Sequence, residues 1–171
     1  MTETTAPLVG ILMGSDSDLP IMTEAAKMLK QFSIPFEIEI TSAHRSPVRT
    51  SEYARAARRR GLKVIIVGAG AAAHLAGVIA AETTLPVIGV PIDSSPLSGL
   101  DALLSTVQMP GGVPVATMAV GKAGAINAGI FATEIIGAFD PRVEAELAAF
   151  KERQARGVAE KSEKAKREFQ I

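Results

Sequence analysis

The chain has no cysteine among its 171 residues, only two histidines, and no excess of either charge, with 18 basic and 18 acidic side chains. Without cysteine there is no disulfide, no thiolate nucleophile and no cysteine-ligated zinc, a composition that suits a reducing compartment. Balanced charge removes any overall attraction to nucleic acid or to an anionic membrane, so an anion has to be bound locally. No apolar run approaches the roughly 18 residues of a membrane span. The opening "MTETTAP" lacks the basic start and apolar stretch of a signal peptide. The expectation is a cytoplasmic protein that binds neither nucleic acid nor membrane.

What is present is apolar material: 47% of the residues, enough for one domain spanning 1–171 with a sizeable core. Short β-rich runs, "LVGILM", "FEIEIT", "KVIIVG", "PVIGVPI" and "PVATMAV", alternate with helical stretches. The helices are predicted within Leu19 to Phe32, from about Pro47 to Arg60, from Ala71 to Thr83, near Leu100 to Val107 and around Gly124 to Gly137. Strands separated by helical crossovers pair in parallel, and runs apolar throughout are strands buried on both faces. The fold class is therefore α/β, a three-layer α/β/α sandwich around a parallel sheet, with a flexible N-terminus over 1–7 and a core over 8–139.

Charge is uneven along the chain. From Leu62 to Phe139 six of 78 residues are charged, too few to solvate the outer faces of several helices, and some of those faces are expected to meet other subunits. Residues 140–171 then hold 15 charges in 32 positions. There Asp140 is placed as an N-cap, Pro141 at the first helical position and Glu144 in the first turn, predicting a long C-terminal helix that breaks or frays near Gly157. Val143, Leu147 and Phe150 recur at helical spacing, so its first half is expected to pack.

In open parallel sheets ligands bind beyond the carboxyl ends of the strands, where strand order reverses. Each strand here ends in an unusual loop: "GSDSD", "SAHRSP", "GAGAAAHLAG", "SSPLSG" and "GKAGAINAG". With a strand order of 2-1-3-4-5 the first three converge on one crevice. Gly14 permits a tight turn, and Ser15 and Ser17 offer hydroxyls beside the free N–H groups of a helix start, an anion site. Asp18 would repel a phosphate but accepts two hydrogen bonds from a vicinal diol such as ribose; equally, Ser17 or Asp18 simply caps the helix. Arg45 supplies a planar donor fork suited to phosphate, or else a surface ion pair. His44 beside it is either structural or a proton carrier, the one side-chain type that ordinarily exchanges protons near neutral pH.

The third loop leaves an alternative open. Gly68, Gly70 and Ala73 match G-x-G-x-x-A, and Asp93 lies 20 residues beyond Ala73, as in a nicotinamide-dependent oxidoreductase. A further alternative is a non-catalytic phosphosugar-binding or receiver-like module that uses the "DSD" acids with Lys122.

Taken together, "MGSDSD", "SAHRSP", "GAGAAAHLAG", "LPVIGVP", "STVQMPGGVPVAT" and "GKAGAINAG" resemble, in order and spacing from about Leu8 to Phe139, the N5-carboxyaminoimidazole ribonucleotide mutase family of purine biosynthesis. The resemblance implies a flavodoxin-like fold, a homo-octamer, and transfer of a carboxylate from the exocyclic nitrogen to ring carbon 4 of a ribonucleotide without metal, ATP or other cofactor. It also implies substrate contacts from Ser15, Asp18, Ser42, Arg45, Gly70, Ala71, His74 and Leu75, with His44 carrying the proton. A related class that takes free aminoimidazole ribonucleotide and CO2 resembles "SAHK" and lacks the "AAHL" loop, so Arg45 and His74 favour the mutase. The family usually reads "GAGGAAHLPG"; Ala71 and Ala76 stand where it has Gly and Pro, and the extra methyl at Ala71 is expected to crowd the ligand or restrict the loop.

Overall fold

The computed structural model describes residues 6–170, so most of the N-terminal stretch expected to be flexible, residues 1–5, lies outside the described residues. The chain divides into two compact units, Met1–Thr133 and Glu134–Ile171. In the first, β1 (Val9–Met13), β2 (Phe36–Ile40), β3 (Val64–Gly70), β4 (Val87–Ile92) and β5 (Ala116–Thr117) form one sheet in the order β2-β1-β3-β4-β5. All neighbours are parallel. Helices α1 (Leu19–Gln31), α2 (Pro47–Ala57), α3 (Leu75–Glu82), α4 (Leu100–Val107) and α5 (Gly121–Gly137) follow the strands in turn. The order reverses between β1 and β3, as expected.

The apolar runs become the central strands because only there are both faces covered: β1 and β4 are buried along their whole length, and β3 over Val64–Gly68. Alternation then assigns each side chain to a layer. Leu12, Ile65, Val67 and Val87 pack with Ala54 and Ala57 of α2 and with Ala76 and Ile79 of α3. Thr106 of α4 lies over Gly89 on that same side. On the opposite face Met22 of α1 and Ile92 cover Gly68, and α5 crosses α1 so closely at Gly129 that a β-carbon there would meet Met28 Cβ at 2.7 Å and the Ala25 carbonyl at 2.8 Å. The result is a flavodoxin-like sheet with helices on both faces.

The second unit consists of the end of α5 and the long α6 (Pro141–Phe169). Its start is the expected one: the Asp140 carboxylate accepts from the Arg142 N–H at 3.0 Å, Pro141 occupies the first turn and Glu144 follows. Val143 and Leu147 are buried and lie against Gly137 at the end of α5. The expected break near Gly157 does not occur, since α6 runs through it without interruption. One glycine in a helix interior costs about 1 kcal/mol, which the arginines, alanines, glutamates and lysines on either side offset.

Other boundaries shift for local reasons. The second helix stops at Ala57 rather than Arg60 because Gly61, at φ +99°, turns the chain so that the Leu62 N–H returns to the Ala57 carbonyl at 3.2 Å. The third begins at Leu75, not Ala71, since Ala71 takes φ +52° and cannot continue a right-handed helix. The fifth starts earlier than expected, at Gly121. The predicted strand "PVATMAV" shortens to Ala116–Thr117; it is an edge strand and Pro114 has no N–H to give, although the Met118 N–H still reaches the Gly89 carbonyl at 2.8 Å.

Candidate active site

Loops at the carboxyl ends of the first four strands enclose a cleft of about 210 Å³. Ser15, Asp18, Ser42, His44, Arg45, Gly70, Ala71 and Leu75 all line it. His74 does not, but its ring meets that of His44. An adjoining, more open hollow shares Ser15, Ser42 and Arg45 and extends to Thr41 and Ser46.

The first loop is a 3-10 turn, Asp16–Asp18, ahead of α1. Its cap is Ser15 rather than the expected Ser17 or Asp18: Ser15 Oγ accepts from the Ser17 N–H at 3.3 Å, whereas the Asp18 side chain makes no cap bond. Asp18 is therefore available to a ligand although it is only 5% exposed. Burial is the largest influence on its carboxyl and raises its pKa above the ordinary aspartate value. Hydrogen bonds from the Ser17 hydroxyl and the Ser15 backbone, with the Arg45 charge, oppose that rise, and Asp16 adds to it. A buried carboxylate with few donors of its own is suited to accept from hydroxyls.

The second loop, between β2 and α2, is braced from beneath. Thr41 Oγ1 and Thr50 Oγ1 lie 2.8 Å apart, and the Ser46 hydroxyl accepts from the Ser42 N–H at 3.0 Å while donating to the Ser42 carbonyl at 3.1 Å. The chain is thereby fixed on both sides of His44. Arg45 is not in a surface ion pair. Its NH2 group donates to the Gly14 carbonyl at 2.7 Å, linking the first two loops, and its Nε approaches Ser42 Oγ at 3.5 Å. The rest of the guanidinium stays exposed beside the serine loop, where the start of a helix favours an anion.

The third loop carries the strain. In Ala71–His74 two tight bonds follow each other, Ala73 N–H to Ala71 C=O and His74 N–H to Ala72 C=O, both 2.8 Å. Ala71, where the related family has glycine, sits at φ +52°, a conformation that costs a non-glycine residue roughly 1–2 kcal/mol. Its methyl acts first on the loop's own backbone. At the other family departure, Ala76 is the second residue of α3, a position that tolerates proline. The loop brings His74 Nδ1 to 2.9 Å from His44 Nε2, the rings meeting edge to face at 84°. One of those nitrogens must carry the shared proton, so each ring fixes the other's tautomer.

The glycines of "GAG" answer to protein side chains instead of a dinucleotide. A β-carbon at Gly68 would collide with Met22 Sδ, and one at Gly70 with Ser94 Oγ. Asp93, the acid of the oxidoreductase alternative, lies outside the cleft against Gly99 and Gly121. Lys122, needed by the receiver alternative, stands 3.7 Å from Glu24. Ser94 itself, together with Ala43, Ala69 and Ala72, lines the cleft without having been singled out from the sequence. The signal for Ser94 was its place just past β4, next to the crevice strand.

Comparison with known protein families matches residues 8–157 to AIR carboxylase. An N5-carboxyaminoimidazole ribonucleotide mutase of Thermotoga maritima is 56% identical over 158 residues, 92% of this chain and 91% of the relative. The protein of the same name from Bacillus subtilis is 55% identical over 157 residues, covering 92% and 97%. Among solved structures, Treponema denticola PurE superimposes with a TM-score of 0.83 at 29% identity, over 92% of this chain and 98% of that one.

The buried carboxyl of Asp18 gives a pH-dependent outcome. A raised folded-state pKa means that ionisation is costlier in the folded than in the unfolded chain; the cost is absent below the ordinary value of 3.8 and fully present above the raised one. Asp18→Asn should therefore melt higher than the parent at pH 7.5, by on the order of 2 °C, with the gain fading as pH falls toward 4. Thermal scans across that range check it, and a Tm gain that grows on acidification would contradict the assignment.

Proposed function

The chain belongs to the AIR carboxylase family, and from that we propose that it is the mutase that moves the carboxylate of N5-carboxyaminoimidazole ribonucleotide from the exocyclic nitrogen to ring carbon 4. It is an enzyme of purine biosynthesis. The single observation that supports this reading most is the convergence in one cleft of a cation, a buried carboxylate and a histidine from three different loops, the arrangement a ribonucleotide with a reacting ring requires.

Arg45 and the serine loop hold the phosphate, and Asp18 accepts from the ribose hydroxyls. Phosphate and ribose contacts do not change during the reaction; they fix the ring against His44. A carbamate loses CO2 once its nitrogen is protonated. His44 donates that proton as the N–C bond breaks, leaving an amine, free CO2 and an electron-rich ring. Carbon 4 then attacks CO2 and forms the new C–C bond, and His44 removes the proton from carbon 4 to restore aromaticity. One proton leaves the imidazole and one returns, so no other reactant is consumed. His74, sharing a proton with His44, holds it in one tautomer and orientation. The apolar wall formed by Ala69, Ala72 and Leu75 gives CO2 no strong partner and limits water near it.

Assembly belongs to the same proposal. Leu97, Leu100, Leu104 and Val107 form a stripe along α4 and its approach, each 49–62% exposed. A stripe of that size supports a closed homo-oligomer, an octamer by family resemblance. Among the described residues no helix is long and apolar enough to cross a membrane. The setting we propose is the cytoplasm.

Two outcomes follow. Replacing His44 with Asn keeps size but removes proton exchange, so turnover of the carbamate should fall about a hundred- to ten-thousandfold while product affinity moves little; His74→Asn should be milder. Steady-state rates and calorimetry in protein of unchanged oligomeric state measure this, and retention of more than about a tenth of the activity by His44→Asn excludes it as proton carrier. For assembly, light scattering at micromolar concentration should give a multiple of the 17.8 kDa chain mass, whereas a monomer would require another role for the α4 stripe.

A further inference from the structure

We propose that Ser94 is a substrate-contacting residue of this cleft, its hydroxyl donating to the carboxylate once that group is bound to ring carbon 4. The inference rests on the mutase reading given above and adds to it a residue from the fourth loop.

The placement follows from register. Gly70, the last residue of β3, pairs with Ile92, the last of β4. Two residues further on, Ser94 returns to the face on which Ile92 lies over Gly68. Its Oγ comes to rest above Gly70, so near that a β-carbon there would overlap it, and no other residue type than glycine leaves room. That face is the one covered by α1, whose approach carries Ser15 and Asp18. Ser94 thus completes the cleft from the side opposite to the phosphate loops.

The chemistry of the lining narrows its role. Around Ser15, Asp18, Ser42 and Arg45 the cleft is already rich in polar groups. On the β3–β4 side it is lined by Ala69, Gly70, Ala71, Ala72 and Leu75, none of which has a polar side chain. Ser94 brings the one side-chain hydroxyl on that side, and this hydroxyl has no hydrogen-bond partner among the described residues. If Arg45 and Asp18 anchor phosphate and ribose, the ring and its carboxylate lie toward this apolar side. A carboxylate there needs donors. A neutral hydroxyl suits the task better than a second cation, because a cation would also stabilise the starting carbamate against losing its charge as CO2. A hydroxyl can release the group as CO2 and accept it again as carboxylate at its new position.

The test compares two ligands that differ only in the group concerned: the ribonucleotide carboxylated at carbon 4 and aminoimidazole ribonucleotide without a carboxylate. With Ser94→Ala, calorimetry should show product affinity reduced about three- to tenfold and affinity for the decarboxylated ribonucleotide unchanged, the second value also establishing that the variant is folded. Ser94→Thr keeps the hydroxyl and should stay within about twofold of the parent for both. In turnover, Ser94→Ala should release a larger fraction of each carbamate as free aminoimidazole ribonucleotide. Equal weakening for both ligands, no change for either, or a Ser94→Thr variant that behaves as Ser94→Ala would overturn the assignment. A parent enzyme that binds neither ribonucleotide would instead overturn the mutase reading itself, so the two failures are separable.

Discussion

The bare face of β3 at Gly68 and Gly70 is the constraint on which the rest of the site depends. Because these two positions carry no β-carbon, Met22 and Ile92 can close over one of them and Ser94 over the other. That closure draws α1 and the loop after β4 in toward β3 while the main chain of β3 stays open to the cleft. A side chain at either position would push a wall of the site outward. The strand order then does the remainder: with β1 and β3 adjacent and their crossovers leaving in opposite directions, the loops after β1, β2 and β3 face one another.

On that frame the cleft separates binding from chemistry. Charge is concentrated at Arg45 and Asp18, toward the first two loops, and both are held by local bonds rather than by ion pairs. The reacting end is made of alanine, glycine and leucine with the two histidines at its edge. A substrate anchored by contacts that stay constant can be handed between two covalent states without leaving. A neutral, largely apolar surface around the moving group neither traps it as an ion nor supplies water to carry it off. Ala71 adds a peculiarity of this chain: its left-handed backbone is maintained by the two tight turns that follow it, so the loop that presents His74 is held under strain where a glycine would relax it.

Much of this could be read from the sequence because it rests on local rules. Apolar runs became buried strands, turn residues marked the loops, and Asp140 with Pro141 marked the start of α6. What could not be read depends on residues distant in the chain. The delayed start of α3 follows from the conformation of Ala71, and no propensity rule anticipates an alanine at φ +52°. The early end of β5 reflects its place at the sheet edge, known only once the pairing is known. Gly157 misled in the other direction, since a local breaker was outvoted by its helix-forming neighbours. In the site, Ser15, Asp18 and Arg45 could be found from loop position and chemistry. The His44–His74 contact joins residues 30 apart in the chain and has no sequence signature. Ser94 needed the β3–β4 register to place it over Gly70.

The central claim is that the carboxylate stays in the cleft as CO2 between leaving nitrogen and joining carbon. It is tested most directly by supplying the carbamate labelled with carbon-13 in its carboxylate, in the presence of excess unlabelled bicarbonate and without ATP or added metal, and reading the product by mass spectrometry. The account predicts that the label appears at carbon 4 in nearly every product molecule from a single turnover. Product carrying mainly unlabelled carboxylate would show that CO2 exchanges with solvent, and would contradict it.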